Sequence, residues 1–130
     1  MSLFNKSATG AASTTKQLGD AAEGLALRHL QQAGLRLVQR NYRTPGRGGG
    51  EIDLIMRDRD GTLVFVEVRK RSGAAHGGAA ASVLGVKQRR IVLAARHYLT
   101  RLAALPPCRF DVVAVEPGGI TWLKAAFDAA

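Results

Sequence analysis

The chain carries a single cysteine, Cys108, in 130 residues. That excludes an internal disulfide framework and any cysteine-rich zinc module. Aromatic residues are scarce, at 5%. Tyr42, Tyr98 and Trp122 are too dispersed to form a base-stacking platform, which argues against a single-strand-binding module. No apolar run approaches the length of a membrane span, and the longest are strand-sized. The N-terminus holds Asn5 and Lys6 and no apolar block, so it does not read as a secretory signal. These absences predict a soluble protein in a reducing, cytoplasmic setting, with no membrane partner. The most informative absence is of negative charge: none of the 10 acidic residues lies between positions 68 and 110.

That acid-free segment holds Arg69, Lys70, Arg71, Lys87, Arg89, Arg90, Arg96, Arg101 and Arg109, within a chain of net charge +9 and pI near 10.8. Concentrated, unopposed positive charge attracts polyanions, and nucleic acid is the commonest intracellular one. The bland alternative is a solvated helix face. Hydrophobic content of 46% and charged content of 22% are ordinary globular values. The length suffices for one core, burying roughly two-thirds of the unfolded surface.

Residues 1–13 are rich in Ser, Ala, Thr and Gly and read as a disordered tail; residues 14–128 read as one domain. Leu18, Ala21, Ala22, Leu25, Ala26 and His29 recur at helical spacing, with Leu27 and Leu30 widening the stripe. Thr14 or Thr15 is the N-cap candidate and Gly34 the stop. A strand is expected over Leu35–Tyr42, then the loop Thr44-Pro45-Gly46-Arg47-Gly48-Gly49-Gly50. The apolar runs Ile52–Met56 and Leu63–Val68, separated by Asp58-Arg59-Asp60-Gly61, read as an antiparallel hairpin. Residues 72–82 read as a flexible connection. A second helix is expected over Val83–Ala103, with Ile91, Ala94, Ala95, Tyr98 and Leu102 on one face. Phe110–Val115 and Ile120–Leu123 complete the set as strands around Pro117-Gly118-Gly119. The order α-β-β-β-α-β-β is an α/β fold, a mixed sheet flanked by helices.

Strand parity selects the chemistry. Glu51, Asp53 and Ile55 are expected on one face of the first hairpin strand. Leu63, Phe65, Glu67 and Arg69 share a face of the second, with Lys70 pointing away beside Val66 and Val68. A loop of odd length centred on Asp60 sets Asp53 directly opposite Glu67. Two facing carboxylates repel, and one tends to stay protonated. A divalent cation removes that penalty, and Mg²⁺ favours one or two carboxylates with water and phosphate oxygens. The pattern fits metal-assisted phosphodiester hydrolysis. The alternative is that the two carboxylates pair with Arg40, Arg43 or Arg57.

Gly50-Glu51-Ile52-Asp53-Leu54-Ile55 and Val64-Phe65-Val66-Glu67-Val68-Arg69-Lys70-Arg71 resemble the signature of the YraN family. So do Ala22-Glu23, Asn41-Tyr42-Arg43, Lys87 and Arg109-Phe110-Asp111, and the likeness covers about residues 18–128. That family is similar to the restriction-endonuclease-like superfamily and, within it, to archaeal Holliday-junction resolvases. The resemblance implies a restriction-endonuclease-like fold and a Mg²⁺- or Mn²⁺-dependent endonuclease with a D-(x)n-E-x-K core. Asp53 and Glu67 then match the metal-holding acids, the Val68 carbonyl a further ligand, and Glu23 the helix-one acid that completes the site. Read without the resemblance, Glu23 is a helix-surface glutamate.

The chain departs from that pattern at Arg69, where the superfamily has lysine. A guanidinium stays protonated and forks onto phosphate, so Arg69 can stabilise charge but cannot act as a base. Lys70 faces away; Lys87, from the second helix, is the candidate replacement. Arg47, Lys70, Arg71, Arg89 and Arg90 are the candidate contacts to the DNA backbone. Few side chains suit base readout, so recognition of duplex shape or branching is expected over sequence. A homodimer is one expectation for how so small a chain spans a duplex. The rival reading, favoured by Arg69, is a catalytically inactive DNA-binding protein on a nuclease scaffold. Gly46-Arg47-Gly48-Gly49-Gly50 lacks the Gly-Lys-Ser/Thr ending of a triphosphate loop. His29, His76 and His97 have no ligand spacing, and Cys108 is expected to be a buried small hydrophobe.

Overall fold

The computed structural model describes residues 15–46, 48–71, 83 and 85–129. The expected N-terminal tail, the 72–82 connection, His76 and Arg47 lie outside these residues.

Helix α1 spans Thr15–Gln32. Its end follows from Gly34, whose φ of 103° only glycine adopts without strain. Leu35 N–H donates to Leu30 carbonyl at 3.1 Å and Gly34 N–H to Gln31 at 3.0 Å, the paired bonds of a Schellman cap. Leu30 and Leu35, which those bonds bring together, are both buried in one apolar cluster. The buried stripe is Ala22, Ala26 and Leu30, with Leu27 packed against it. Ala21 and Leu25 are exposed, so the stripe is rotated from the sequence expectation.

Strands β1 (Arg36–Arg43), β2 (Glu51–Arg57) and β3 (Leu63–Lys70) follow. Helix α2 covers Gly85–Leu99, then β4 (Cys108–Glu116) and β5 (Gly119–Phe127). The sheet order is β1-β2-β3-β4-β5, antiparallel throughout except for the parallel β3–β4 pair. A parallel pair needs a crossover, and α2 lies within it. The mixed α/β architecture matches the sequence expectation, with longer strands. Helix α2 is shorter than expected: at residues 100–102 the amides bond to carbonyls three residues back, a tightened turn.

The sheet is covered on both faces. One cluster joins Ile91, Ala94, Ala95 and Tyr98 of α2 to Ile55, Leu63, Phe65, Phe110 and Val112. The other joins α1 to Leu54, Met56, Val64, Val66 and Val113. Alternate residues of β2 and β3 therefore feed opposite layers, each large buried aliphatic contributing about 1.5–3 kcal/mol. Asp111 is wholly buried yet satisfied: Arg109, Trp122 Nε1 at 2.9 Å and Ala125 N–H at 2.9 Å all donate to it. Arg109 also bonds Asp58 at 2.9 Å, tying the β2–β3 turn to β4. Cys108 is exposed, contrary to expectation. It stands at the first position of β4, before the strand enters the core, and its Sγ bonds Pro106 carbonyl at 3.3 Å.

Candidate metal and phosphodiester site

The hairpin loop runs Asp58–Thr62 and closes on itself, with Asp58 N–H on Thr62 carbonyl at 2.9 Å. Its five residues are centred on Asp60, so Arg57 pairs Leu63 and Leu54 pairs Val66. Asp53 and Glu67 are next along this register. There the backbone ladder gives way to side chains: Asp53 Oδ2 accepts Val68 N–H at 2.8 Å, and the two carboxyls hydrogen-bond each other.

Glu67 is 3% exposed, beneath α2. Its Oε2 lies 3.8 Å from Lys87 Nζ and 3.8 Å from Arg69 Nη1. Burial and the Asp53 charge push the Glu67 carboxyl up to about 8, against the pull of Lys87 and Arg69. Burial also raises Asp53, while the Val68 amide, the Glu67 bond and Lys87 hold it down. Both carboxyls are thus pushed toward the protonated form, and near neutrality the pair favours holding one proton between them. Glu67 Oε1 and Arg69 Nε are buried without a hydrogen-bond partner. The arginines that could have neutralised the pair go elsewhere. Arg40 lies 3.6 Å from Glu23, Arg43 3.5 Å from Glu51, and Arg57 bonds Gly61 carbonyl.

Glu23 reaches the neighbourhood from α1, on the other side of the sheet. Burial and the negative charge of Asp53 raise its carboxyl, opposed by Arg40. Among the described residues no group of three or more His, Cys, Asp or Glu side chains is close enough to hold a metal. The close carboxylates are thus the Asp53–Glu67 pair, with Glu23 at one remove. Two carboxylates suit Mg²⁺, which keeps several waters and takes phosphate oxygens, and the unpartnered Glu67 oxygen is a donor such an ion would satisfy. At Val68 the contact in place is the amide on Asp53.

How two helices on opposite faces approach one aspartate is explained by a reversal in the sheet. Leu54 packs in the α1 layer but Ile52 in the α2 layer, though residues two apart in a regular strand share a face. On β1, Arg40 likewise reaches α1 while Tyr42 packs beneath α2. Both strands turn over where Asn41, at φ 52°, stands between the flanking pairs Arg40↔Leu54 and Tyr42↔Ile52 and so opposite Asp53. The expected common face for Glu51, Asp53 and Ile55 is therefore not kept. Asn41 was not assigned a role from sequence, although asparagine within a strand pattern is a signal for left-handed backbone.

Helix α2 is fixed above the pair by the glycine loop. Arg90 Nε and Nη2 donate to Gly49 carbonyl at 3.2 and 3.1 Å. A Cβ on Gly50 would lie 1.8 Å from Arg90 carbonyl oxygen, so only glycine permits this approach. Thr44 holds the loop, accepting Gly50 N–H at 2.7 Å. Of the candidate DNA contacts, Lys70 and Arg89 are exposed. Arg90 is exposed but engaged with Gly49, and Arg71 lies 4.0 Å from Glu116. Arg89 and Arg96 line a groove of about 610 Å³ along α2 that contains neither site carboxylate. No helix among the described residues is long and apolar enough to cross a membrane.

Comparison with known proteins agrees with the motifs. The chain is 75% identical over 116 residues to a UPF0102 protein of Albidiferax ferrireducens, covering 89% of this chain and 91% of that one. It is 68% identical to one of Paracidovorax citrulli, over 89% and 86% of the two chains. It is 61% identical to one of an Acidovorax species along the whole of both. Residues 22–115, from the first buried alanine of α1 to the penultimate residue of β4, match the family described as "Uncharacterised protein family UPF0102". This stretch includes Glu23, Asn41, Asp53, Glu67, Arg69 and Lys87, and the chain belongs to the UPF0102 (YraN) family.

Proposed function

We propose that the protein is a metal-dependent endonuclease hydrolysing phosphodiester bonds of DNA, with branched or otherwise structured DNA as its substrate class. The observation that carries this reading is the pairing of half-buried Asp53 with buried Glu67 beside Lys87 and Arg69, with one Glu67 oxygen unpartnered. A buried acid crowded against a second carboxyl costs stability unless a ligand uses the pair. Asp53 and Glu67 would hold Mg²⁺ or Mn²⁺, with the Val68 carbonyl and Glu23 as further candidates. A bound divalent cation supplies Lewis-acid charge to the phosphate and makes a neighbouring water more acidic.

The protein's own groups divide the remaining work. Arg69, always protonated, neutralises charge on the scissile phosphate. Lys87 approaches Glu67 at the same 3.8 Å as Arg69, so α2 would supply the lysine that position 69 lacks. As a compact ammonium it can place a proton at the reacting oxygens. Lys70 and Arg89, with Arg47 of the glycine loop, grip the DNA backbone. The resemblance to Holliday-junction resolvases and the shortage of base-reading side chains support structured DNA over a sequence motif.

The second reading, a DNA-binding protein without turnover, is favoured by Arg69 alone. One assay separates the two: purified protein with duplex, flapped and four-way-junction DNA, in Mg²⁺, Mn²⁺ or EDTA. Metal-dependent cutting lost in Asp53→Ala and Glu67→Ala establishes the enzyme. Binding to all substrates with no cutting would sink it. Cutting that appears only in Arg69→Lys would identify a lapsed nuclease.

A further inference from the structure

The reversal of β1 and β2 has an identifiable origin. Asn41 adopts φ 52°, a conformation that costs an ordinary L-residue energy and that asparagine and glycine tolerate best. Glycine would suffice for the backbone alone, but asparagine adds an amide. In the amide orientation that gives it donors facing acceptors, the Asn41 side chain donates to Glu23 Oε1 at 3.2 Å and Oε2 at 3.3 Å. Arg40, the preceding residue, approaches the same carboxylate at 3.6 Å. The Glu23 side chain is 13% exposed, and the negative charges acting on it are Asp53 first and then Asp20, opposed by Arg40. Like charges drive such a carboxylate away unless donors fix it.

We infer that Asn41 is a positioning residue: its left-handed backbone turns β1 over opposite Asp53, and its side-chain amide holds the Glu23 carboxylate beside that aspartate. A single residue thereby links the α1 acid to the Asp53–Glu67 pair across the two faces of the sheet. The inference rests on the proposed function only in taking the pair to hold a divalent cation. Asn41 touches no reacting atom; it acts through Glu23.

Asn41→Gly tests this directly, since glycine keeps the backbone conformation and removes the amide. Calorimetric titration of Mn²⁺ should show affinity about 10-fold weaker in Asn41→Gly than in the parent. Glu23→Ala should weaken it comparably, and adding Asn41→Gly to Glu23→Ala should cost less than about twofold more. Affinity unchanged in Asn41→Gly, or single effects that multiply in the double variant, would overturn the inference. A metal-free measurement separates it from the nuclease reading. The Asn41 side-chain amide resonances of the apo protein should move in Glu23→Ala and stay in place in Glu51→Gln. Resonances indifferent to Glu23→Ala would overturn the inference without any metal. Failure of the parent protein to bind Mn²⁺ would instead overturn the nuclease reading.

Discussion

Asp53 ends the β2–β3 ladder with its side chain: its Oδ2 accepts the Val68 amide at 2.8 Å, one residue past Glu67, the next position in register. The aspartate is therefore held to β3 while it faces the Glu67 carboxyl. A strand pair that closes on two carboxyls gives up core stability, and the proposal that a metal uses them can be tested element by element.

Removing either acid should separate cutting from binding. In Asp53→Ala and Glu67→Gln, metal-dependent cleavage should fall at least ~100-fold, because a ligand is lost with the charge it carries. Binding of a four-way junction in EDTA, measured by fluorescence anisotropy, should change less than about threefold, since neither acid contacts the phosphate backbone.

The pH dependence has a definite sign. Glu67 is raised from an ordinary 4.5 to about 8, so the folded protein binds that proton more tightly than the unfolded chain. Its contribution to stability is complete below pH 4.5 and is lost as pH climbs through about 8. Urea unfolding of the metal-free protein should show a loss of up to about 1.4 kcal/mol per pH unit in that window, relative to Glu67→Gln. Mn²⁺ affinity should rise over the same window, because the ion displaces the proton.

Lys87 and Arg69 should differ in kind although both lie 3.8 Å from Glu67. Lys87→Met should reduce single-turnover cleavage by about 10²–10³, because an ammonium beside the pair is lost. Arg69→Lys should retain cleavage within about tenfold while weakening phosphate engagement, seen as a higher KM.

If the exposed basic residues hold DNA as proposed, they should separate from those engaged within the fold. Lys70→Ala and Arg89→Ala should each reduce the slope of log affinity against log salt by about one. Arg90→Ala should leave that slope nearly unchanged and lower Tm instead, because its guanidinium is spent on Gly49 carbonyl.

Gly50→Ala should disturb both fold and site. A Cβ at 1.8 Å from Arg90 carbonyl oxygen meets backbone, which cannot step aside. A loss of at least about 1–3 kcal/mol in urea unfolding is expected. Cleavage should fall with it, since α2 carries Lys87.

Periodicity, turn chemistry and the charge map were sufficient for the element order, the hairpin register and the Asp53–Glu67 opposition. These depend on spacing along one chain: a five-residue turn fixes which residues face each other, and alternation fixes the side of the sheet. The acid-free segment likewise placed the basic helix. Tertiary structure decided what local pattern cannot encode. The rotated stripe of α1 was set by which face met the sheet, and the exposure of Cys108 by where β4 enters the core. The reversal opposite Asn41 broke the alternation behind the expected Glu51 face, since Ile52 and Leu54, two apart on β2, pack in opposite layers. Whether an arginine stays exposed or engages a neighbouring carbonyl was also a tertiary matter: Arg89 and Arg90 are adjacent in sequence, yet Arg89 is exposed and free of Gly49 while Arg90 donates to its carbonyl. The sequence by itself determined which acids could meet and where positive charge would gather; only the folded chain decided that α1 and α2 approach the same aspartate from opposite faces, because that requires two strands to turn over together at one cross-strand position.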